Sequence, residues 1–227
     1  MKKLRQFVLS LQDKKGGIAT SLDEKSDPNN GWLMKHLLEL EMEDVMRGFR
    51  GYLLRCQNAD GGWGVNGGNV SMVSATANAL RGLCDCGVSV GDSVVEKAVK
   101  FLFASQRKSG GFSETVDVGV PWMKPGVEWG WITATVVEAL HGAGVHPSTP
   151  AFDNAALFVR KCFWEFREGI EGQAIMVRAL RNAGFRVFIE TKEMKRRIDA
   201  LLPAVNGGFP KVDPNLDTTL NILAFLY

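Results

Sequence analysis

The acidic and aromatic side chains best suited to act on a substrate are concentrated in one glycine-rich stretch, residues 110–131. This stretch contains Glu128 and four large aromatic residues: Phe112, Trp122, Trp129 and Trp131. A glutamate packed against tryptophan can have a raised pKa and can then serve as a general acid. Aromatic faces can stabilise a carbocation by cation–π attraction. The stretch therefore suggests acid chemistry by Glu128 on an apolar substrate between aromatic walls.

Two interpretations of this stretch stay open. Long ordered loops in compact domains tend to be functional. Alternatively, the aromatic side chains plug one end of the core. Glu138 and Glu171, on or near later helices, are weaker candidates for the same acid role.

A repeated unit of helix, glycine turn and second helix positions these residues. In three copies a glutamine lies five residues after an aromatic residue, and a Gly-Gly pair begins four residues after the glutamine. The three copies contain Phe7, Gln12, Gly16 and Ile18; Tyr52, Gln57, Gly61 and Trp63; and Phe101, Gln106, Gly110 and Phe112. Degenerate copies begin near Asn154 and Ile198, so the starts lie about 40 to 50 residues apart, as in stacked helical-pair repeats.

The apolar spacing predicts about ten helices in five pairs. The predicted ranges are 3–11, 31–46, 45–55, 72–83, 94–105, 132–143, 151–166, 172–182, 191–202 and 216–227. Asn69 or Ser71 is the expected N-cap of the helix over 72–83, because a short polar side chain can accept from the first free N–H groups. A single helical pair cannot bury its own apolar face, so we expect one domain over residues 1–227.

Composition restricts the class of partner. The net charge of +2 gives no reason to expect nucleic acid or an anionic membrane as a partner. No run approaches the roughly 18 apolar residues of a membrane span. Four cysteines in 227 residues fit a reducing compartment, so we expect a cytoplasmic protein.

The glutamine–aromatic repeat resembles the QW motif of squalene–hopene and oxidosqualene cyclases. The residues that fit the motif, with Phe in the place of Trp, are Lys97, Ala98, Phe101, Leu102, Gln106, Gly110 and Phe112. The resemblance implies an all-α fold, an α/α toroid with an inner and an outer ring of helices, in which the motif itself has a structural role. Full toroids of this kind have about six pairs, so five pairs imply an incomplete ring whose open edge helices favour a homodimer.

The same resemblance directs attention to the C-terminal segment PNLDTTLNILAFL. Cyclases of this family protonate an alkene with the middle aspartate of Asp-x-Asp-Asp. Asp217 and Thr218 resemble the end of that pattern, but Leu216 occupies the position of the proton donor. Asp213 could substitute with a different loop geometry, and Asp217 has the alternative role of a helix N-terminal carboxylate.

The catalytic candidates are therefore Asp217, Asp213 and Glu128. The expected substrate-binding residues are Trp63, Phe112, Trp122, Trp129, Trp131 and Phe209.

No metal or cofactor is expected. The Asp-x-Cys of zinc prenyltransferases and the aspartate-rich run of magnesium-dependent terpene synthases are both absent. Cys84, Asp85 and Cys86 with His141 or His146 are the remaining alternative for a zinc site.

Three functions fit this sequence. The first is an enzyme that cyclises or isomerises a polyene or prenylated substrate by acid catalysis. The second is a non-catalytic toroid that binds a hydrophobic ligand or a protein segment and has lost the cyclase acid. The third is an interaction scaffold with a filled core.

Overall fold

The computed structural model describes residues 2–19, 24–68, 70–115, 126–165 and 169–201. Its α-helices are α1 (Lys2–Leu11), α2 (Leu33–Glu39), α3 (Glu43–Arg55), α4 (Val73–Asp85), α5 (Ser93–Ser105), α6 (Gly130–Gly142), α7 (Pro150–Glu165), α8 (Ile170–Asn182) and α9 (Phe188–Leu201). Short 3-10 helices cover Pro28–Trp32 and Val65–Gly67. The predicted helix over 216–227 lies outside the described residues.

The helices form two layers. The inner layer contains α4, α6 and α8, which pack side by side, with α6 between the other two. Helix α6 is buried on nearly every side, and Ile132, Val136 and Leu140 have no exposed surface. The outer helices α5 and α7 pack against these inner helices.

Alternation of outer and inner helices defines an α/α toroid. The described residues contain three complete pairs, α3–α4, α5–α6 and α7–α8, preceded by α1 and α2 and followed by α9, in agreement with the predicted repeat.

The single helix predicted over 31–46 is wrong. The chain instead forms the 3-10 helix Pro28–Trp32, then α2, and it starts α3 only at Glu43. Helix α2 ends in a left-handed residue, Glu41 (φ 54°), with the Met42 N–H donating to the Leu37 carbonyl at 2.9 Å. Leu40 and buried Met42 continue the apolar spacing across this stop, so the spacing does not reveal it.

The side-chain cap predicted for α4 is also wrong. Met72 precedes α4 in an extended conformation and offers no capping side chain. The two oxygens of the Glu114 carboxylate accept instead from the N–H groups of Val73 and Ser74, at 3.1 and 3.3 Å. A residue of the third repeat therefore caps the inner helix of the second, while Asn69 lies outside the described residues.

Three glycine turns connect outer to inner helices with the same geometry. The first glycine of each pair has a left-handed backbone, with φ of +85° at Gly16, +91° at Gly61 and +89° at Gly110. A Cβ built on these glycines would lie 2.3, 2.5 and 2.4 Å from a backbone carbonyl oxygen of the next outer helix. Glycine is therefore required for two reasons, the left-handed backbone angle and the close approach of the next outer helix.

The repeated glutamines connect each turn to the next outer helix. The Gln57 amide donates to the Gly61 carbonyl at 3.0 Å and to the Val94 carbonyl of α5 at 2.8 Å. Gln12 and Gln106 make the equivalent pairs of bonds. The predicted structural role of these glutamines is confirmed by the six contacts.

Candidate functional site

A pocket of about 320 Å³ lies between the N-terminus of α6 and the outer helix α7. Its lining residues are Val127, Glu128, Trp129, Phe158, Lys161, Cys162 and Glu165. Two of the residues predicted for the site, Glu128 and Trp129, therefore lie in one pocket. We take this pocket as the candidate site.

The third glycine turn holds Glu128 at the pocket. The Ser109 hydroxyl donates to the Glu128 carboxylate at 2.6 Å, and Glu128 is half-buried. The next residue is fixed through its backbone, because the Trp129 N–H donates to the Phe112 carbonyl at 3.1 Å. The Thr133 hydroxyl donates to the Trp129 carbonyl at 2.8 Å, which ties this segment to the first turn of α6.

The equivalent link exists in the second repeat with its partners exchanged. There the Ser71 hydroxyl donates to the Asp60 carboxylate at 2.7 Å, and the Met72 N–H donates to the Trp63 carbonyl at 2.8 Å. A hydroxyl–carboxylate pair thus closes both repeats. What distinguishes the third repeat is that its carboxylate is on the pocket side, on Glu128.

Helix α7 forms the opposite wall of the pocket with aromatic, charged and thiol side chains. The Lys161 ammonium lies 3.8 Å from the Glu165 carboxylate, one helical turn away. Phe158 lies over the turn, where a Cβ on Gly111 would come within 2.7 Å of its ring. The pocket therefore combines two aromatic side chains with two carboxylates, an ammonium and the thiol of Cys162. This combination suits an amphipathic ligand, or one end of an apolar ligand next to an acid.

The other predicted aromatic residues do not line this pocket. Trp63 and Phe112 are fully buried core residues, and the Trp63 indole N–H donates to the Leu53 carbonyl at 2.8 Å. Trp131 is half-buried on α6. Trp122, Phe209, Asp213 and Asp217 lie outside the described residues, and contact of any of these residues with a substrate stays a prediction.

A buried charged layer crosses the three inner helices. The Glu138 carboxylate of α6 lies 2.9 Å from Nη1 of Arg81 on α4 and 2.9 Å from Nη2 of Arg178 on α8. Burial raises the pKa of Glu138, but Arg178 and Arg81 outweigh burial and hold the pKa below its usual value. Glu138 is therefore an ionised member of an ion-pair layer, which argues against its candidate role as a proton donor.

Sequence reasoning missed this layer, because its signal depends on the register of the inner helices. Thr76 and Thr133 accept hydrogen bonds from the N–H groups of Trp63 and Phe112, at 2.9 and 3.0 Å, and so define the register of α4 and α6. In that register Arg81 and Glu138 occupy equivalent positions. The opposite charges at one position of adjacent inner helices are the signal.

Glu114 is a second acidic residue that the sequence did not single out. It is 1% exposed, and burial raises its pKa although the N–H groups of Val73 and Ser74 favour the ionised form. Both of its oxygens are engaged in capping α4. Its role in the structure is thus to fix the start of an inner helix.

The cysteine-containing segment at the end of α4 does not fit a zinc site. Burial, with a smaller contribution from Asp85, raises the pKa of Cys84 to about 11, and burial also raises the pKa of Cys86. Burial therefore favours the protonated form of both thiols when they are free. Among the described residues, no group of three His, Cys, Asp or Glu side chains could hold a metal ion.

None of the described helices combines the length and the apolar character needed to cross a bilayer.

The alternating helical pairs place the chain in the class of α/α-toroid proteins. Residues 1–118 match the family model of the squalene-hopene cyclase N-terminal domain, and the chain belongs to this family. The resemblance stated from the repeat is thereby confirmed, as is the predicted toroid.

A solved structure supports the fold. The crystal structure of a protein from Actinoplanes is similar to this chain with a TM-score of 0.59 and 18% identity. The match covers 89% of this chain and 64% of that one, so the chain spans about two-thirds of its neighbour's length. The comparison with curated proteins found no match.

Proposed function

We propose that this chain is a terpenoid-cyclase-like enzyme that cyclises or isomerises a polyene or prenylated substrate by acid catalysis. The observation that carries the proposal is the shared pocket of Glu128 and Trp129 in a protein of this family. Its volume of about 320 Å³ is near the low end of the usual range for ligand pockets. It would hold one end of an isoprenoid chain rather than a whole triterpene.

The proposed reaction begins with proton transfer. Glu128, in its protonated form, gives its proton to one alkene carbon, and the alkene electron pair forms the new C–H bond. The carbocation left on the adjacent carbon lies against the Trp129 and Phe158 rings, whose faces favour positive charge. The Glu128 carboxylate left by the first step then takes a proton from a neighbouring carbon, and the electron pair of that C–H bond restores an alkene. The product is therefore an isomer of the substrate, and Glu128 is again an acid. Asp213 and Asp217 are the alternative proton donors in this proposal.

The alternative function is a toroid that binds a hydrophobic ligand without turnover. The observation that favours it is the equivalence of the Ser109–Glu128 link with the Ser71–Asp60 link of the second repeat. That equivalence explains the carboxylate by the construction of the repeat and requires no catalysis.

A product assay with matched variants distinguishes the two functions. The purified protein is incubated with squalene and with a series of prenyl diphosphates, with and without magnesium, and extracts are analysed by mass spectrometry. Glu128→Gln keeps the shape and an acceptor for Ser109, so it removes only the acid. Glu165→Gln removes a carboxylate from the same pocket and is the control, while Asp213→Asn and Asp217→Asn test the alternative donors.

The enzyme proposal expects a new isomeric product that Glu128→Gln reduces about 100-fold or more, within the range of general acid catalysis. The Glu165→Gln control keeps most of the activity. Loss of product in Asp217→Asn or Asp213→Asn with full activity in Glu128→Gln would assign the acid to the C-terminal segment. Substrate that is retained unchanged on the protein supports the binding function instead.

A further inference from the structure

A second, larger cleft lies at the other end of the described repeats, away from the candidate site. It has a volume of about 1030 Å³ and lies between the first glycine turn and helix α3. Its polar lining includes Gln12, Asp13, Lys14, Lys15, Arg47 and Arg55. Gly16, Gly48, Gly51 and Gly67 complete much of the remaining lining, so parts of the wall carry no side chain.

The charge of this cleft is strongly positive. Two lysines and two arginines line it, against one carboxylate, that of Asp13. The Asp13 carboxylate is already engaged, because it accepts from the Lys15 N–H at 2.7 Å, the Gly17 N–H at 3.0 Å and the Ser26 hydroxyl at 2.6 Å. Across the described ranges, Lys14 and Arg47 form no ion pair. Among the residues that the structure describes, no ion pair therefore neutralises the positive charge of Lys14 and Arg47.

The repeats provide an internal comparison for these four cations. Each glycine turn approaches the next outer helix at one equivalent residue, namely Gly48 in α3, Lys97 in α5 and Asn154 in α7. With this register, the positions of Lys14, Lys15, Arg47 and Arg55 correspond to Ala59, Asp60, Glu96 and Ala104 at the next interface. At the third interface they correspond to Lys108, Ser109, Asp153 and Lys161. The second and third interfaces thus form without four cations at these positions. The four cations of the first interface are therefore not needed to build the fold.

Gly51 shows the same contrast. Its equivalents are Lys100 and Leu157, both larger residues. A Cβ on Gly51 would meet only the Arg55 guanidinium, at 3.2 Å, which is the far end of a flexible side chain. A glycine inside a helix is destabilising relative to alanine, and here no close backbone contact requires it. Its presence keeps the wall between Arg47 and Arg55 open.

We infer that the Lys14–Lys15–Arg47–Arg55 cleft is a binding site for a phosphate-bearing anion. Arginine guanidinium groups match the geometry of phosphate oxygens, and lysines add positive charge without strict geometry. The cleft has four cations and one carboxylate, that of Asp13, which is already hydrogen-bonded. This arrangement fits a ligand with two or more negative charges better than a ligand with one carboxylate group. The inference is independent of the proposed function, because it uses no residue of the candidate site.

The test measures binding of inorganic phosphate and pyrophosphate to the full chain by calorimetric titration at low and moderate salt. A second arm measures co-sedimentation with vesicles of phosphatidylcholine containing phosphatidic acid, compared with phosphatidylcholine alone. Lys14→Gln/Arg47→Gln removes two cations that have no ion pair in the described structure. Lys100→Gln/Lys108→Gln removes the same charge from α5 and from the third glycine turn and is the matched control. Gly51→Leu installs the residue of the third interface, fills the cleft wall and keeps the charge of all four cations.

We expect Lys14→Gln/Arg47→Gln to weaken phosphate or pyrophosphate binding about tenfold or more, since the variant removes two cations that can make charge-assisted hydrogen bonds to the anion. The control double variant keeps its affinity within about twofold. Gly51→Leu weakens binding while the protein stays folded, and binding falls as salt rises. Binding to phosphatidic acid vesicles without binding to the soluble anions assigns the phosphate to a lipid headgroup. Equal weakening in both double variants, or no binding to any of these probes, would overturn the inference.

Discussion

The repeat turns require glycine for two reasons, the left-handed backbone angle and the close approach of the next outer helix. Comparing Gly61→Ala with Gly87→Ala separates the two reasons. Both glycines have a left-handed backbone, with φ of +91° and +79°. A side chain in this conformation costs about 1–2 kcal/mol. At Gly61 a Cβ would also lie 2.5 Å from the Lys97 carbonyl oxygen of α5, whereas at Gly87 nothing lies within 4 Å.

The extra cost at Gly61 arises because the Cβ would contact the backbone of α5, which cannot move aside as easily as a flexible side chain. Forcing atoms into a packed site costs about 1–3 kcal/mol, so Gly61→Ala should lower the free energy of unfolding by about 2–5 kcal/mol. Gly87→Ala should lower it by only about 1–2 kcal/mol. A displaced turn would also strain the Gln57 bonds to Gly61 and Val94, which places Gly61→Ala toward the upper part of its range.

Urea unfolding followed by circular dichroism measures both free energies on matched proteins. Gly110→Ala repeats the test at the third turn, where the Cβ would lie 2.4 Å from the Asn154 carbonyl oxygen. Equal losses in Gly61→Ala and Gly87→Ala would refute the close-approach argument and leave only the backbone angle. A loss below about 1 kcal/mol in Gly61→Ala would refute both parts.

Three further predictions concern the polar contacts between repeats. Glu138→Gln should cost about 3–5 kcal/mol at neutral pH in urea unfolding, because Arg81 and Arg178 lose their buried counter-ion. Since the folded-state pKa of Glu138 is lowered, its contribution is present above the usual value of 4.5 and is lost as pH falls through the folded pKa. Urea unfolding from pH 6 to 3 should therefore show a flatter acid loss in the variant, and parallel curves would contradict this role. Glu114→Ala should cost about 0.5–2 kcal/mol and speed hydrogen exchange at the first amides of α4, as for a lost N-cap; unchanged exchange there would contradict the cap. Gln57→Ala removes two hydrogen bonds and should cost about 1–3 kcal/mol in the same unfolding assay, and a cost near zero would show that the glutamine does not tie the repeats together.

Most of the toroid follows from local sequence signals. The bounds of α5 and α7 lie within one residue of their predicted ranges, because helical spacing of apolar residues is uninterrupted there and clear turn residues flank it. The end of α2 was not predicted because the residue with a left-handed backbone there is Glu41, and no glycine marks the position in the sequence. The cap of α4 was missed because Glu114 is 41 residues away from Val73, beyond the reach of any local rule.

The candidate site was predictable only on one side. Glu128 and Trp129 are adjacent in the chain, so their shared position follows directly from the sequence. The opposite wall, from Phe158 to Glu165, is contributed by the following outer helix, and local patterns do not state which residues of that helix face the turn. The charged layer of Arg81, Glu138 and Arg178 became visible only when hydrogen bonds fixed the register of the inner helices.

The measurement that tests the central claim most directly is isotope incorporation from solvent. The wild-type protein and Glu128→Gln are incubated in deuterated buffer with whichever isoprenoid the product assay identifies, and the isomeric product is analysed by mass spectrometry. Acid catalysis by Glu128 predicts a product that carries solvent deuterium at the protonated carbon in the wild type, and at most a trace of that product in the variant. A product without deuterium, or an equally labelled and equally abundant product from Glu128→Gln, would contradict the account.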